Sequence, residues 1–285
     1  MAHESMISSR HNPRFRAALS LRDARERRAQ GRFLVDGVRE MGRALDAGLS
    51  IVEAWLAPER LRSEEARALL PRLATAGAEM VETTPDLLAR LAYGERDDGL
   101  VVVVAEPARG LERLAIAGTA LIAVVERVEK PGNLGALLRS ADGAGVDAVL
   151  VADPVSDIWN PNAIRASLGT IFSLPLAVCT SAEAVAFLRE RSITPVTARV
   201  DAAAEYDAVD YTSPVAIVVG AEDAGLSDAW SGDDVIGVRI PMLGLADSLN
   251  VSVSAAILFY EARRQRRATA RSQPAAPGRP KGVRP

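Results

Sequence analysis

Residues 240–265 read IPMLGLADSLNVSVSAAILFYEARRQ. The end of an apolar strand runs through a loop of small and polar residues straight into a long helix, with Val251, Ala255, Leu258 and Phe259 at helical spacing. Two more segments share the strand-then-loop layout. SPVAIVVG (213–220) is a buried strand followed by the turn-forming GAEDAGL (220–226). ALIAVVERV (120–128) is another, followed by EKPGNLGALLRSA (129–141), which enters a helix. In parallel sheets, ligands bind at the carboxyl ends of strands. Three such ends rich in glycine and small polar residues mark this part of the chain as the place where a ligand approaches the backbone.

Outward from these loops the chain alternates strand and helix. In the C-terminal half, DAVLVAD, SLPLAV, TPVTARV and DVIGVRIPM read as further strands. NLGALLRSADGAG, NPNAIRASLGT and SAEAVAFLRERS read as helices. The alternation implies a mostly parallel sheet covered by helices. Residues 33–106 repeat the theme on a smaller scale as a βαβαβ unit. Within it SEEARALLPRLATAG is a helix capped by Ser63, with Pro71 expected to kink or divide it. The expected organisation is a basic segment 1–32, a small α/β domain 33–106, a linker 107–118, a second α/β domain 119–267 and a disordered tail 268–285 rich in Pro, Ala, Gly and Arg.

Composition narrows the chemistry. The single cysteine, Cys179, excludes a disulfide within the chain, and the only histidines are His3 and His11, both in the polar N-terminal segment. A Cys/His metal site and a histidine-based triad are therefore not expected. No apolar run reaches the ~18 residues of a membrane span and no signal-peptide core opens the chain, which implies a cytoplasmic protein. The net charge is −3, but it is unevenly spread. Residues 1–32 carry eight arginines against three acids and residues 263–285 carry eight basic residues and no acid, leaving 18 basic and 34 acidic residues between. Basic ends are an electrostatic footprint for nucleic acid, or else solvated tails. The GxGxxA spelling from Gly143 to Ala148 follows a helix and precedes a strand, the wrong context for a dinucleotide site; a helix stop at Gly143 or Gly145 explains it.

EKPGNLGALLRSA, GAEDAGL and IPMLGLADSLNVSVSAAILFYEARRQ closely resemble the three signature motifs of the SpoU/TrmH RNA 2′-O-ribose methyltransferases, in the same order. FLVDGVREMGRALDAG and DDGLVVVVAEP resemble the small substrate-binding domain that precedes the catalytic domain in rRNA members. The resemblance implies a SPOUT fold, a parallel α/β domain with a deep C-terminal trefoil knot. Knots are so rare that no strand pattern would suggest one. It also implies S-adenosylmethionine as cofactor, no metal, RNA (23S rRNA foremost) as partner, and a homodimer with its active sites at the interface.

The motifs carry the site residues over one by one. Arg139 falls on the first-motif arginine, to which the family mechanism assigns the deprotonation of the ribose hydroxyl. A guanidinium stays protonated above pH ~12, so a cation that orients the target phosphate and stabilises the developing alkoxide is the better role. Asn133 either caps the following helix or holds Arg139 or RNA. Glu222 matches the second-motif glutamate, pairing with Arg139, fixing a loop amide, or simply favouring a helix start. Ser248 and Asn250 either cap the last helix or line the reacting centre. Gly220, Ile240, Leu249 and Asn250 fall where the family holds the cofactor, mostly through backbone groups. Arg10, Arg14 and Arg165 are candidates for RNA phosphates, Arg165 equally for a surface ion pair. The apolar stripe of the last helix would serve the chain's own core equally well, but the resemblance tips the choice toward a dimer interface.

Three readings compete: an rRNA enzyme, with antibiotic-resistance methylation as a special case; a tRNA enzyme, disfavoured by the domain at 33–106; and a catalytically silent RNA-binding or ribosome-assembly protein, disfavoured by the intact motifs. A small-molecule enzyme would leave the basic ends unexplained. Phosphate contacts carry no base information. Deleting residues 268–285 is therefore expected to weaken RNA binding and flatten its salt dependence, as read from affinity at a series of ionic strengths. An unchanged slope would mean that the tail is only solvated.

Overall fold

The computed structural model describes residues 6–94, 98–221 and 223–272. The first half is built from α1 (Pro13–Ser20), α2 (Ala24–Gln30), β1 (Arg32–Asp36), α3 (Val38–Asp46), β2 (Ile51–Leu56), α4 (Glu64–Thr75), β3 (Glu79–Glu82), α5 (Pro85–Leu91) and β4 (Leu100–Ala105). Its sheet runs β1-β4-β2-β3, with β4 antiparallel to both neighbours and β2 parallel to β3. Alternate residues divide between the two faces, as the strand period demands. Phe33, Val35, Val102 and Val104 pack with Met41 and Leu73 of α3 and α4, while Leu34, Val101 and Val103 pack with Phe15 and Leu88 of α1 and α5. The segment 1–32 is thus more than a basic leader: Asn12 and Asp23 cap α1 and α2, and Phe15 and Leu21 are buried under the sheet. Pro71 lies inside a continuous α4, on its exposed side, and does not divide it.

The second half comprises β5 (Leu121–Glu126), α6 (Pro131–Ala144), β6 (Ala148–Ala152), α7 (Pro161–Ala166), α8 (Thr170–Ser173), β7 (Leu176–Cys179), α9 (Ser181–Glu190), β8 (Thr194–Ala198), β9 (Ala204–Glu205), β10 (Val215–Val219), β11 (Ile236–Arg239) and α10 (Val251–Ser272). Its sheet has the order β7-β6-β5-β10-β8-β11-β9, and every pair is parallel. Helices α6 and α10 cover one face through Leu137, Leu138, Leu258 and Phe259; α9 and Trp230 cover the other. Gly145 closes α6 in the left-handed conformation. The single helix expected over 160–170 is two, α7 and α8, because Leu168 and Gly169 both turn left-handed. The stripe Val251, Ala255, Leu258 and Phe259 is at most 6% exposed, so it serves the chain's own core and not an interface. Residues 268–272, expected in the tail, continue α10; residues 273–285 lie outside the described residues. No helix among the described residues is long and apolar enough to cross a membrane.

One core runs through both halves. Phe33 stacks on Trp159 with ring centroids 4.4 Å apart and planes 4° from parallel, and Phe172 extends the stack. Two ion pairs flank it. Arg27 pairs with Asp157 at 2.5 Å, both side chains buried. Arg165 clasps Asp36 with two bonds, of 3.1 and 2.6 Å, and Asp36 also accepts from the Tyr93 amide. Arg165, a candidate for RNA phosphate, is thus drawn into a tie between the halves, the ion pair that was its alternative. Removing one partner of a buried pair strands the other, at about 3–5 kcal/mol. Arg165→Ala is expected to lower unfolding stability by roughly that amount, somewhat less for its partial exposure. A change below about 0.5 kcal/mol in denaturant unfolding, typical of a free surface residue, would return Arg165 to the RNA-facing surface.

Candidate active site

The parallel sheet puts the ends of β5, β8, β10 and β11 on one edge, and a cleft of about 900 Å³ opens there. Its walls are the loop after β10 (Gly220, Ala221, Asp223 to Leu226), Val238 to Met242 with Gly244 and Ala246 to Leu249, and Ala198 to Asp201 at the end of β8. The cleft is large enough for a nucleoside-sized ligand. Close packing shapes it. A Cβ on Gly220 would lie 2.4 Å from the Gly225 carbonyl oxygen, so residue 220 must be glycine for the loop to fold back on its strand. The Gly225 amide closes that loop by donating to the Ala221 carbonyl at 3.0 Å.

Gly220, Ile240, Ser248 and Leu249 all line the cleft. Asn250 sits at the start of α10, where its side chain accepts from the Ser252 amide at 3.0 Å and so acts as the cap. Its amide also donates to Asn133 Oδ1 at 3.1 Å, joining the first and third loops. Asn133 does not cap α6; Lys130 holds that position and Pro131 opens the helix, leaving Asn133 in the first turn. Arg139 is exposed on α6, with no ion pair or hydrogen bond to any described residue. It lies six residues along the helix from Asn133, a rotation that leaves the two about 120° apart around α6. Glu222 lies outside the described residues. Arg10 is exposed, whereas Arg14 is bound to Glu53 and Glu79 on β2 and β3, at 2.9 and 2.6 Å.

Two contributors escaped the reading of the motifs. One is the wall after β8, with Arg199, Asp201 and, on β9, Glu205, which carries no loop signature. The other is Glu126, fully buried at the end of β5, where it accepts from Ser181, Ser227 and Trp230. Burial alone would push its carboxyl upward; the hydrogen bonds outweigh that and hold it below the usual carboxylate range. Its signal in the sequence was a lone acid ending a strand of apolar residues. Among the described residues no cluster of His, Cys, Asp and Glu is arranged to hold a metal ion.

Residues 120–260 match the model of the SpoU rRNA Methylase family, and residues 12–102 that of the MRM3-like substrate binding domain. The 23S rRNA (uridine(2479)-2′-O)-methyltransferase of Streptomyces viridochromogenes is 36% identical, over 91% of this chain and 92% of its own. The chain belongs to the SpoU rRNA methylase family. Another relative, the 23S rRNA (guanosine(2553)-2′-O)-methyltransferase RlmP of Bacillus subtilis, is 28% identical over 90% of this chain and 98% of its own. The tRNA (guanosine(18)-2′-O)-methyltransferase of Thermus thermophilus is 39% identical but matches only 51% of this chain. Among solved structures, the SpoU methyltransferase AviRb from S. viridochromogenes in complex with AdoMet superposes with a TM-score of 0.83 at 33% identity, over 90% of this chain and 99% of that one. Within this SpoU methylase, Gly220→Ala is expected to cost about 1–3 kcal/mol, as overpacking against rigid backbone does. Gly145→Ala, with no neighbour to strike, carries only the strain of its left-handed turn, about 1–2 kcal/mol. The distinguishing result is the shape of the cleft: in a crystal structure of each variant, only Gly220→Ala should displace Gly225 and Leu226.

Proposed function

We propose that this chain transfers the methyl group of S-adenosylmethionine to a ribose 2′-hydroxyl of 23S rRNA. The observation that carries this is full-length similarity, through both halves, to enzymes named for that reaction, together with the cleft the motif loops build. The tRNA relative matches only half of this chain, which favours rRNA. The two rRNA relatives are named for a uridine and a guanosine, so the target base does not follow from the fold.

The cleft suits the cofactor. Gly220, Gly225 and Gly244 leave backbone groups accessible, while Leu226, Ile240 and Leu249 offer apolar contact for a base. Asp201, Glu205, Asp223 and Asp247 outnumber Arg199 and Arg239 around it, which favours a cationic ligand. S-adenosylmethionine supplies an electrophilic methyl group on a sulfonium. Gly220, Ile240, Leu249 and Asn250 hold it, largely through backbone groups and loop shape. Ser248 stands at the rim, and the Asn133–Asn250 bond keeps the first loop in register with α10. Arg139 orients the target phosphate and stabilises negative charge as the hydroxyl loses its proton. Glu222 is carried over from the second motif as a carboxylate of the site, to pair with that cation or to fix a loop amide. Arg10 and the basic C-terminal end add phosphate contacts.

The same reading includes a C-terminal trefoil knot, a homodimer and cytoplasmic action. The insertion of β10 between β5 and β8, followed by the return of α10 onto α6, supports a knotted path. Val253 and Tyr260, seven residues apart on α10, are half exposed, and Leu243 and Leu245 of the third loop fully so; they supply the apolar surface a second copy would cover. Arg139 turned away from Asn133 fits a site completed by the second subunit.

Comparing methylation of 23S rRNA by mass mapping in cells with and without the gene tests the substrate. Arg139→Ala is expected to cut single-turnover methylation by about 10² to 10³ while leaving cofactor affinity within about twofold, because its charge acts only as the hydroxyl ionises. Arg139→Lys should rescue little, since it lacks the planar fork. Retention of most of the rate by Arg139→Ala would overturn the assignment.

A further inference from the structure

Glu126 touches neither the cleft nor the exposed motif residues, yet its placement is costly. It ends a strand whose other five residues are apolar, and it is wholly removed from water. A buried carboxylate is tolerated only when its oxygens are satisfied. Here Oε2 accepts from the Ser227 backbone amide at 2.8 Å, and Oε1 accepts from Ser227 Oγ at 2.7 Å, Trp230 Nε1 at 3.0 Å and Ser181 Oγ at 2.5 Å. Three of these four donors come from residues 227 to 230, directly after the loop that walls the cleft. The loop's other end is Val219, which pairs in the sheet with Val125. Both ends of residues 220–226 are therefore referenced to two consecutive residues of β5. Between those anchors Gly220 packs on Gly225 with no room for a Cβ, so any shift of Ser227 displaces Gly225 and Leu226, which line the cleft.

We propose that Glu126 is a positioning residue for the cofactor: by holding the Ser227 amide it sets the form of the loop that walls the cleft. The inference rests on the cofactor reading of that cleft. It requires a carboxylate. A glutamine would place its NH₂ either against the Ser227 backbone amide or against the Trp230 indole N–H; both of these only donate, so one donor faces another in either orientation, even where the serine hydroxyls turn to accept.

The experiment is calorimetric titration of S-adenosylmethionine into four variants, each at a temperature where circular dichroism shows it folded. Ser227 has φ −71°, already suited to proline. Ser227→Pro removes the amide hydrogen and the hydroxyl, whereas Ser227→Ala removes the hydroxyl alone. Glu126→Gln and Ser227→Pro should raise the cofactor Kd about tenfold or more, the effect of losing a hydrogen bond to a charged group. Ser227→Ala and Trp230→Phe, which keep the amide bond, should stay within about threefold even as they lower Tm. Should Glu126→Gln fail to fold, the Ser227 pair decides. Wild-type affinity in Ser227→Pro, or affinities that merely follow Tm across the variants, would overturn the proposal. Failure of the wild type itself to bind at millimolar cofactor would instead overturn the cofactor reading on which the proposal stands.

Discussion

Strand β10 is hydrogen-bonded along both edges, to β5 and to β8, and all five of its residues are buried. Much of the catalytic half depends on this placement. A parallel ladder fixes strand direction as well as spacing, so the exits of β5, β8, β10 and β11 open on the same edge. Segments far apart in sequence meet there. The first and third loops touch through Asn133 and Asn250, and the second and third share the walls of one cleft. A β10 at the margin of the sheet would separate the loops, and no choice of loop residues would restore the contact.

The joint between the halves follows a different logic. It is dense in directional contacts: an aromatic stack and two arginine–carboxylate pairs whose members come one from each half. The nearly parallel stack fixes a separation, and the forked Arg165–Asp36 pair fixes an angle. The first sheet is thereby held in a defined orientation to the cleft, as a surface that presents a large substrate to a small site requires.

Much of this was legible in the chain. The parallel sheet, the strand-end loops and the closing helix follow from hydrophobic period and turn chemistry, and Gly220, Ile240, Ser248 and Leu249 do meet in one cleft. What was misread involves residues whose local and distant options look alike in one dimension. Asn133 and Asn250 are both plausible caps, and only the geometry shows that Asn250 caps while Asn133 binds it. The stripe on α10 fits an interface as well as a core until α6 and β10 are seen to cover it. Arg165 and Arg14 resemble phosphate ligands until their carboxylates are found, at sequence separations no local pattern records. The break at Leu168–Gly169 was hidden because a non-glycine residue adopts a left-handed turn there.

The aromatic stack has a consequence for interchange among relatives. Phe33 belongs to the first sheet, but Trp159 and Phe172 belong to the catalytic half, and together they fill one shared interior. The halves are therefore not plug-in modules. A graft of another enzyme's first half onto this catalytic half would have to bring its own matching ring, acid and base at the seam, or leave two large aromatic faces wet. Specificity for a new RNA is more readily reached by changing exposed residues on the existing first half than by exchanging it whole.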